Sequence, residues 1–138
     1  MYKRQALGGH AEKSDKGWGM GPKVVAVAEP KSWMTPELPN GHFYFCHQDQ
    51  VVSLPDEAEL LAGNSFCPNG MFVIGDQVLG LQAHPEFTTT VMTTAIDLLK
   101  GVVDEGVTSQ AAEQTATLSV DNQIMAQWIV NFLRSHSR

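Results

Sequence analysis

The apolar residues of this chain change period at Pro85, and that change constrains the fold more than any other feature of the sequence. Upstream, apolar residues come in short runs separated by glycine, proline and asparagine. The runs are Val24, Val25 and Val27 within Lys23 to Glu29, then Gly41 to Cys46 after the Asn40-Gly41 turn signal, Leu60 to Ala62, Met71 to Ile74 and Val78 to Gln82. Runs of this length bounded by turn residues predict strands. Downstream, Val91, Met92, Ala95, Ile96, Leu98 and Leu99 recur at three- and four-residue steps. Thr88 to Thr90 stand ready to cap the segment and Gly101 to stop it, which predicts a helix. A second stripe, Ile124, Met125, Trp128, Ile129, Phe132 and Leu133, predicts a closing helix that starts near Asp121, while Asp104 to Thr117 is polar and fits no period. Residues 1 to 23 are glycine-rich and predict no regular element, and His47-Gln48-Asp49-Gln50 reads as the polar loop leaving the second strand. Strands first and helices last, with no repeat, give an α/β or α+β class.

With 138 residues, the chain is close to the roughly 150 expected of one domain. Nine Lys and Arg against fifteen Asp and Glu give 9 − 15 = −6, and no basic block could track a phosphate backbone or an anionic membrane surface. Nucleic acid is therefore not an expected partner. No apolar stretch approaches the eighteen or so residues of a membrane span, so no membrane partner is expected either. Cys46 and Cys67 are too few for a disulfide scaffold and favour a reducing, cytoplasmic setting.

The stretch Gly80-Leu81-Gln82-Ala83-His84-Pro85-Glu86-Phe87 carries the clearest chemistry. A residue before proline is pushed to extended geometry, so His84 should continue the strand, with Glu86 on the same side two positions on. A carboxylate beside an imidazole fixes its tautomer and favours the imidazolium, which a general base taking a proton from a nucleophile requires. The plain alternative is a strand-end histidine bonded to backbone beside a solvated acid at a helix start.

The same stretch resembles the G-[hydrophobic]-Q-x-H-P-E-[aromatic] segment of class I (triad) glutamine amidotransferases. Cys46-His47-Gln48-Asp49-Gln50-Val51 with Leu54-Pro55 resembles the S-H-x-D-x-V…L-P segment of the glutaminase domain of GMP synthase and its stand-alone relatives. Ala6-Leu7-Gly8-Gly9, Lys16-Gly17-Trp18-Gly19, Leu61-Ala62, Ser65 and Cys67-Pro68 fall in the family's order. The resemblance runs from Ala6 to the last helix. It implies an α/β fold, the C-terminal part of a mixed, mostly parallel sheet with flanking helices, whose N-terminal half is absent. It further implies that His84 is the general base and Glu86 its orienting partner, and that backbone of the loop at Cys46, Gln48 and Asp49 holds L-glutamine. No cofactor and no metal are implied, and the parent is expected to stand alone or to work with a separate synthetase subunit that accepts the ammonia.

The family's nucleophile is a cysteine in a G-x-C-x-G turn shortly before A-L-G-G, so this chain is expected to be a fragment that begins after it. Cys46 stands where relatives carry serine and Cys67 lies in a Cys-Pro turn, positions that suit small packed residues. Met1-Tyr2-Lys3-Arg4-Gln5 reads back, with GTG as the start codon, as GTG-TAT-AAG-AGA-CAG, the end of a sequencing-library transposon, so residues 1 to 5 are expected to be a scar and residues 6 to 138 part of one domain. Two other readings stand beside this one: a pseudoenzyme without the nucleophile, and a metal or small-ligand module using Cys46, His47, Cys67 and His84. Zinc favours two- to four-residue ligand spacings, which are absent here.

Overall fold

The structure, a computed structural model, describes residues 7–137; the expected scar and Ala6 lie outside the described residues. Seven strands come first: β1 (His10–Lys13), β2 (Gly19–Val27), β3 (Asn40–His47), β4 (Asp49–Ser53), β5 (Ala58–Gly63), β6 (Met71–Ile74) and β7 (Val78–Leu81). Three helices follow: α1 (Thr89–Leu98), α2 (Glu105–Thr117) and α3 (Asn122–Ser135). Five strands form one sheet in the order β3-β2-β5-β6-β7, and β1 pairs with β4 in a separate ribbon.

The α/β class holds, but the mostly parallel sheet does not describe these residues. All the ladders among them are antiparallel, and the only parallel contact is an isolated bridge from Lys100 to Val103. The connections explain why. A parallel crossover needs roughly a dozen residues or more, usually a helix. Here β6 reaches β7 through Gly75 to Gln77 alone, and all three helices come after the last strand.

Three local expectations also give way. Residues 10 to 13 form a strand because Ala11 meets Val51 and Lys13 meets Asp49, partners about 40 positions away that local composition does not show. For the same reason Asp49 and Gln50 belong to a strand, leaving Gln48 as the single residue between β3 and β4. The segment from Asp104 to Thr117 is mostly helix α2. Asp104 caps it by accepting from the Gly106 amide, and its buried face is Thr108, Ala111 and Thr115, small residues that leave no apolar stripe.

The helix predicted after Pro85 starts as expected. The Thr88 hydroxyl accepts from the Val91 amide, Met92 and Ile96 are buried, and Gly101 takes φ +84° beyond the end. Helix α3 buries Met125, Trp128 and Phe132. Its N-cap residue, Asp121, makes no side-chain cap within the helix; its carboxylate accepts from the His42 amide at 2.8 Å, and its own amide donates to the His42 carbonyl at 2.8 Å. The start of α3 is thus bonded to the outer edge of β3.

Two apolar clusters sandwich β2 and β3. Phe43 and Phe45 join Val25, Leu61, Met71, Val73 and Trp128 in one cluster, and Tyr44 joins Met20, Met92, Ile96 and Ala111 in the other. Each fully buried side chain of this size stabilises the fold by about 1.5 to 3 kcal/mol. Strand β3 therefore carries a buried residue on each face, and this fixes its register for the site built at its end.

Candidate active site

The site is assembled where the chain leaves β7. Gly80 pairs with Phe72 of β6, and a Cβ at position 80 would lie 2.3 Å from Phe72 Cζ, so the glycine makes room for a buried ring. Gln82 then turns inward with only 7% exposure. Its Oε1 accepts from the Val51 amide at 3.0 Å and its Nε2 donates to the Asn69 carbonyl at 2.8 Å, while Asn69 Nδ2 donates to the Val51 carbonyl at 2.9 Å. The Gln82 amide donates to the Gly70 carbonyl at 2.9 Å. One buried amide therefore bonds β4, the turn before β6 and the segment leading to His84. The need for partners at Gln82 could be inferred from sequence; Asn69 could not, because its role depends on where Val51 is brought.

Strand β7 ends at Leu81, so His84 lies beyond it, yet the His84 amide still donates to the Tyr44 carbonyl of β3 at 2.8 Å. The two side chains meet as expected: His84 Nδ1 lies 2.7 Å from Glu86 Oε1. An ionised carboxylate only accepts, so Nδ1 is the donor, and in the neutral imidazole Nε2 then presents its lone pair. The imidazole stacks on Phe87, with ring centroids 4.3 Å apart and planes 20° apart. The Phe87 carbonyl is held by Asn122 Nδ2 at 2.7 Å, at the first turn of α3. Tyr44 Oη lies 3.1 Å from Thr89 Oγ1 and so ties the start of α1 to the same strand. His84 is 31% exposed and Glu86 64%, so the pair sits at a surface opening, where solvent screens its charges.

Cys46, Gln48 and Asp49 lie at the end of the strand that holds His84. Cys46 is two residues beyond Tyr44, about 7 Å along an extended strand. Its side chain packs against the Tyr44 cluster, and burial pushes its thiol pKa upward, which favours the protonated, unreactive form. The Gln48 carbonyl accepts from the Ser14 amide at 3.0 Å, and Asp49 pairs with Lys13. Cys67 is fully buried in the turn after β5, where its amide donates to Asn64 Oδ1 at 2.6 Å. Burial of this kind works against the thiolate form at both cysteines. Among the described residues, no group of three or more His, Cys, Asp or Glu side chains is arranged to hold a metal ion.

The chain and its fold are similar to known proteins. No family model matches the chain. It is 32% identical over 133 residues to a glutamine amidotransferase-like protein of Schizosaccharomyces pombe, covering 88% of this chain and 49% of that protein. It is 28% identical over 135 residues to gamma-glutamyl peptidase 3 of Arabidopsis thaliana, covering 92% of this chain and 54% of that one. Its fold superposes on a glutamine amidotransferase from Thermotoga maritima with a TM-score of 0.72 at 18% identity, over 96% of this chain and 56% of that structure. The chain spans about half the length of the curated relatives it matches.

Proposed function

Because the chain carries the glutamine amidotransferase fold, we propose that His84 and Glu86 are the base and its orienting carboxylate in a cysteine-dependent site that cleaves the γ-carbonyl bond of a glutamyl group. The observation that carries this reading is the 2.7 Å contact from His84 Nδ1 to Glu86 Oε1, which leaves Nε2 to exchange protons. The nucleophile is a cysteine outside the chain in hand, since burial disfavours both Cys46 and Cys67 for that role. The thiol gives its proton to His84 Nε2 as sulfur bonds to the γ-carbonyl carbon. The imidazolium then gives that proton to the departing nitrogen, and a γ-glutamyl thioester is left. Water adds to the thioester with Nε2 taking its proton, glutamate leaves, and the thiol is restored. Backbone of the loop at Cys46, Gln48 and Asp49 holds the glutamyl group, and no metal or organic cofactor takes part.

With L-glutamine as substrate the departing group is ammonia, and a separate synthetase subunit consumes it. With a γ-glutamyl peptide the departing group is an amine, a reading favoured by the relative named gamma-glutamyl peptidase. A cytoplasmic setting belongs to the same proposal, supported by two cysteines that form no disulfide; none of the described helices is long and apolar enough to cross a membrane.

The test compares the 138-residue chain with the full protein encoded at its locus, assaying ammonia release from L-glutamine and amine release from a γ-glutamyl dipeptide. The full protein should turn over one of the two substrates and the chain alone neither. In a serine protease with a comparable triad, loss of the nucleophile or base costs about a millionfold in turnover. Turnover by the chain alone, abolished by His84→Ala, would show that the nucleophile lies within these residues.

A further inference from the structure

A groove on the side of the fold away from β7 has a composition unlike the rest of the chain. Strand β2 pairs with β3 over eight residues but with β5 only at Ala26 and Val27, so its edge from Pro22 to Val24 is left beside the turn at Asn64 to Phe66. Helix α2 closes the other wall with Gln110 and Gln114, and the space between measures about 290 Å³. Its lining includes Lys23, His42, Asn64, Ser65 and the two glutamines, and none of its residues is acidic.

Lys23 is the centre of the groove. Its Nζ sits 5.1 Å from the centroid of the Phe66 ring, which steadies the ammonium without neutralising it. The ion pairs among the described residues do not include Lys23. Burial lowers its pKa, as expected of an ammonium withdrawn from water without a counter-charge. A second ammonium stands nearby, for Lys16 Nζ donates to the Ser65 carbonyl at 2.6 Å. A half-buried cation with no carboxylate is a cost that an anion entering the groove would offset through charge-assisted hydrogen bonds.

We propose that this groove binds the anionic group of a small polar molecule, with Lys23 as the principal contact and Lys16 and His42 at its margin. The shared chemistry is a compact oxyanion, carboxylate or phosphate. Two probes separate these sources: inorganic phosphate and acetate, each titrated into the chain at constant ionic strength while the Phe66 ring and Lys23 ε-methylene resonances are followed.

One probe should shift these resonances saturably. Lys23→Gln should weaken that binding at least tenfold, and Ser65→Asp, which places a carboxylate on an exposed rim, should weaken it as well without touching the core. Lys100→Gln alters an ammonium in a different depression and should leave the affinity within about twofold. Saturation by phosphate alone, or by acetate alone, identifies the oxyanion. Linear, non-saturating shifts with both probes, or equal weakening by Lys100→Gln and Lys23→Gln, would overturn the proposal and leave only diffuse screening.

Discussion

The segment from Gly80 to Phe87, bonded to β3 through the His84 amide, and the corner from Cys46 to Asp49, where β3 passes into β4, are specified in opposite ways. The first works through side chains: an imidazole, a carboxylate, a buried amide and a ring, each with a partner at a stated distance. In the second, burial raises the pKa of the Cys46 thiol and the Gln48 carbonyl accepts from the Ser14 amide, so the role proposed for it falls to backbone. Side-chain chemistry demands particular residue types and leaves a motif. Backbone chemistry demands a path of the chain and leaves almost none. Substitutions should therefore be severe in the first segment and mild in the second.

The most damaging structural change is predicted at Gln82, which links the two. Gln82→Leu would leave the Val51 amide and the Asn69 carbonyl without their partners, and each buried group left unsatisfied costs about 1 to 3 kcal/mol. Chemical denaturation should show a loss near the sum of two such terms, with faster amide exchange at Val51 than at Phe45. An unchanged midpoint would mean that the loop is held independently of the His84 segment.

Next comes Gly80→Ala. The added methyl must displace the buried ring of Phe72, and overpacking of this kind costs about 1 to 3 kcal/mol. A smaller effect follows from Asp121→Ala, which removes the carboxylate that accepts from the His42 amide at the outer edge of β3 and should cost about 1 kcal/mol or slightly more.

The mildest change is predicted in the loop. If the proposed reading holds and the loop contributes backbone alone, Cys46→Ser should alter turnover by less than about threefold. It should also remove an alkaline sensitivity. Burial raises the folded-state pKa of the thiol above its ordinary 9.0, so the folded chain holds the proton more tightly than the unfolded chain. Stability from this source is complete below that value and declines as pH rises past it. A wild-type stability profile that stays flat from pH 8.5 to 10 relative to the serine variant would contradict this account.

The same division explains what could be read in advance. Met71 to Ile74, the cap at Thr88, the stop at Gly101 and the meeting of His84 with Glu86 all depend on neighbours within a few positions, and the sequence shows them. Strand β1 depends on β4, roughly 40 residues away, and helix α2 buries small residues beneath a polar sequence. Trp33, in the turn after β2, packs against Phe132 of α3 with ring centroids 5.3 Å apart, a partner about 100 positions away. The expected parallel sheet came from the resemblance as a whole, whereas the described strands all pair antiparallel, and β6 and β7 are joined by only the three residues 75–77. The substrate-holding role proposed for Cys46, Gln48 and Asp49 rests on the resemblance, because the residues there do not indicate what their backbone faces.

The central claim is that Glu86 holds the proton of His84 on Nδ1 and so leaves Nε2 as the base. Nitrogen-15 NMR of ring-labelled histidine, recorded above the titration of His84, reads that tautomer directly and needs no nucleophile. The wild-type chain should show a protonated Nδ1 and a bare Nε2, and Glu86→Gln, whose amide can donate to Nδ1, should move the population toward the Nε2–H form. A wild-type His84 protonated on Nε2, or a tautomer ratio indifferent to Glu86→Gln, would contradict the account.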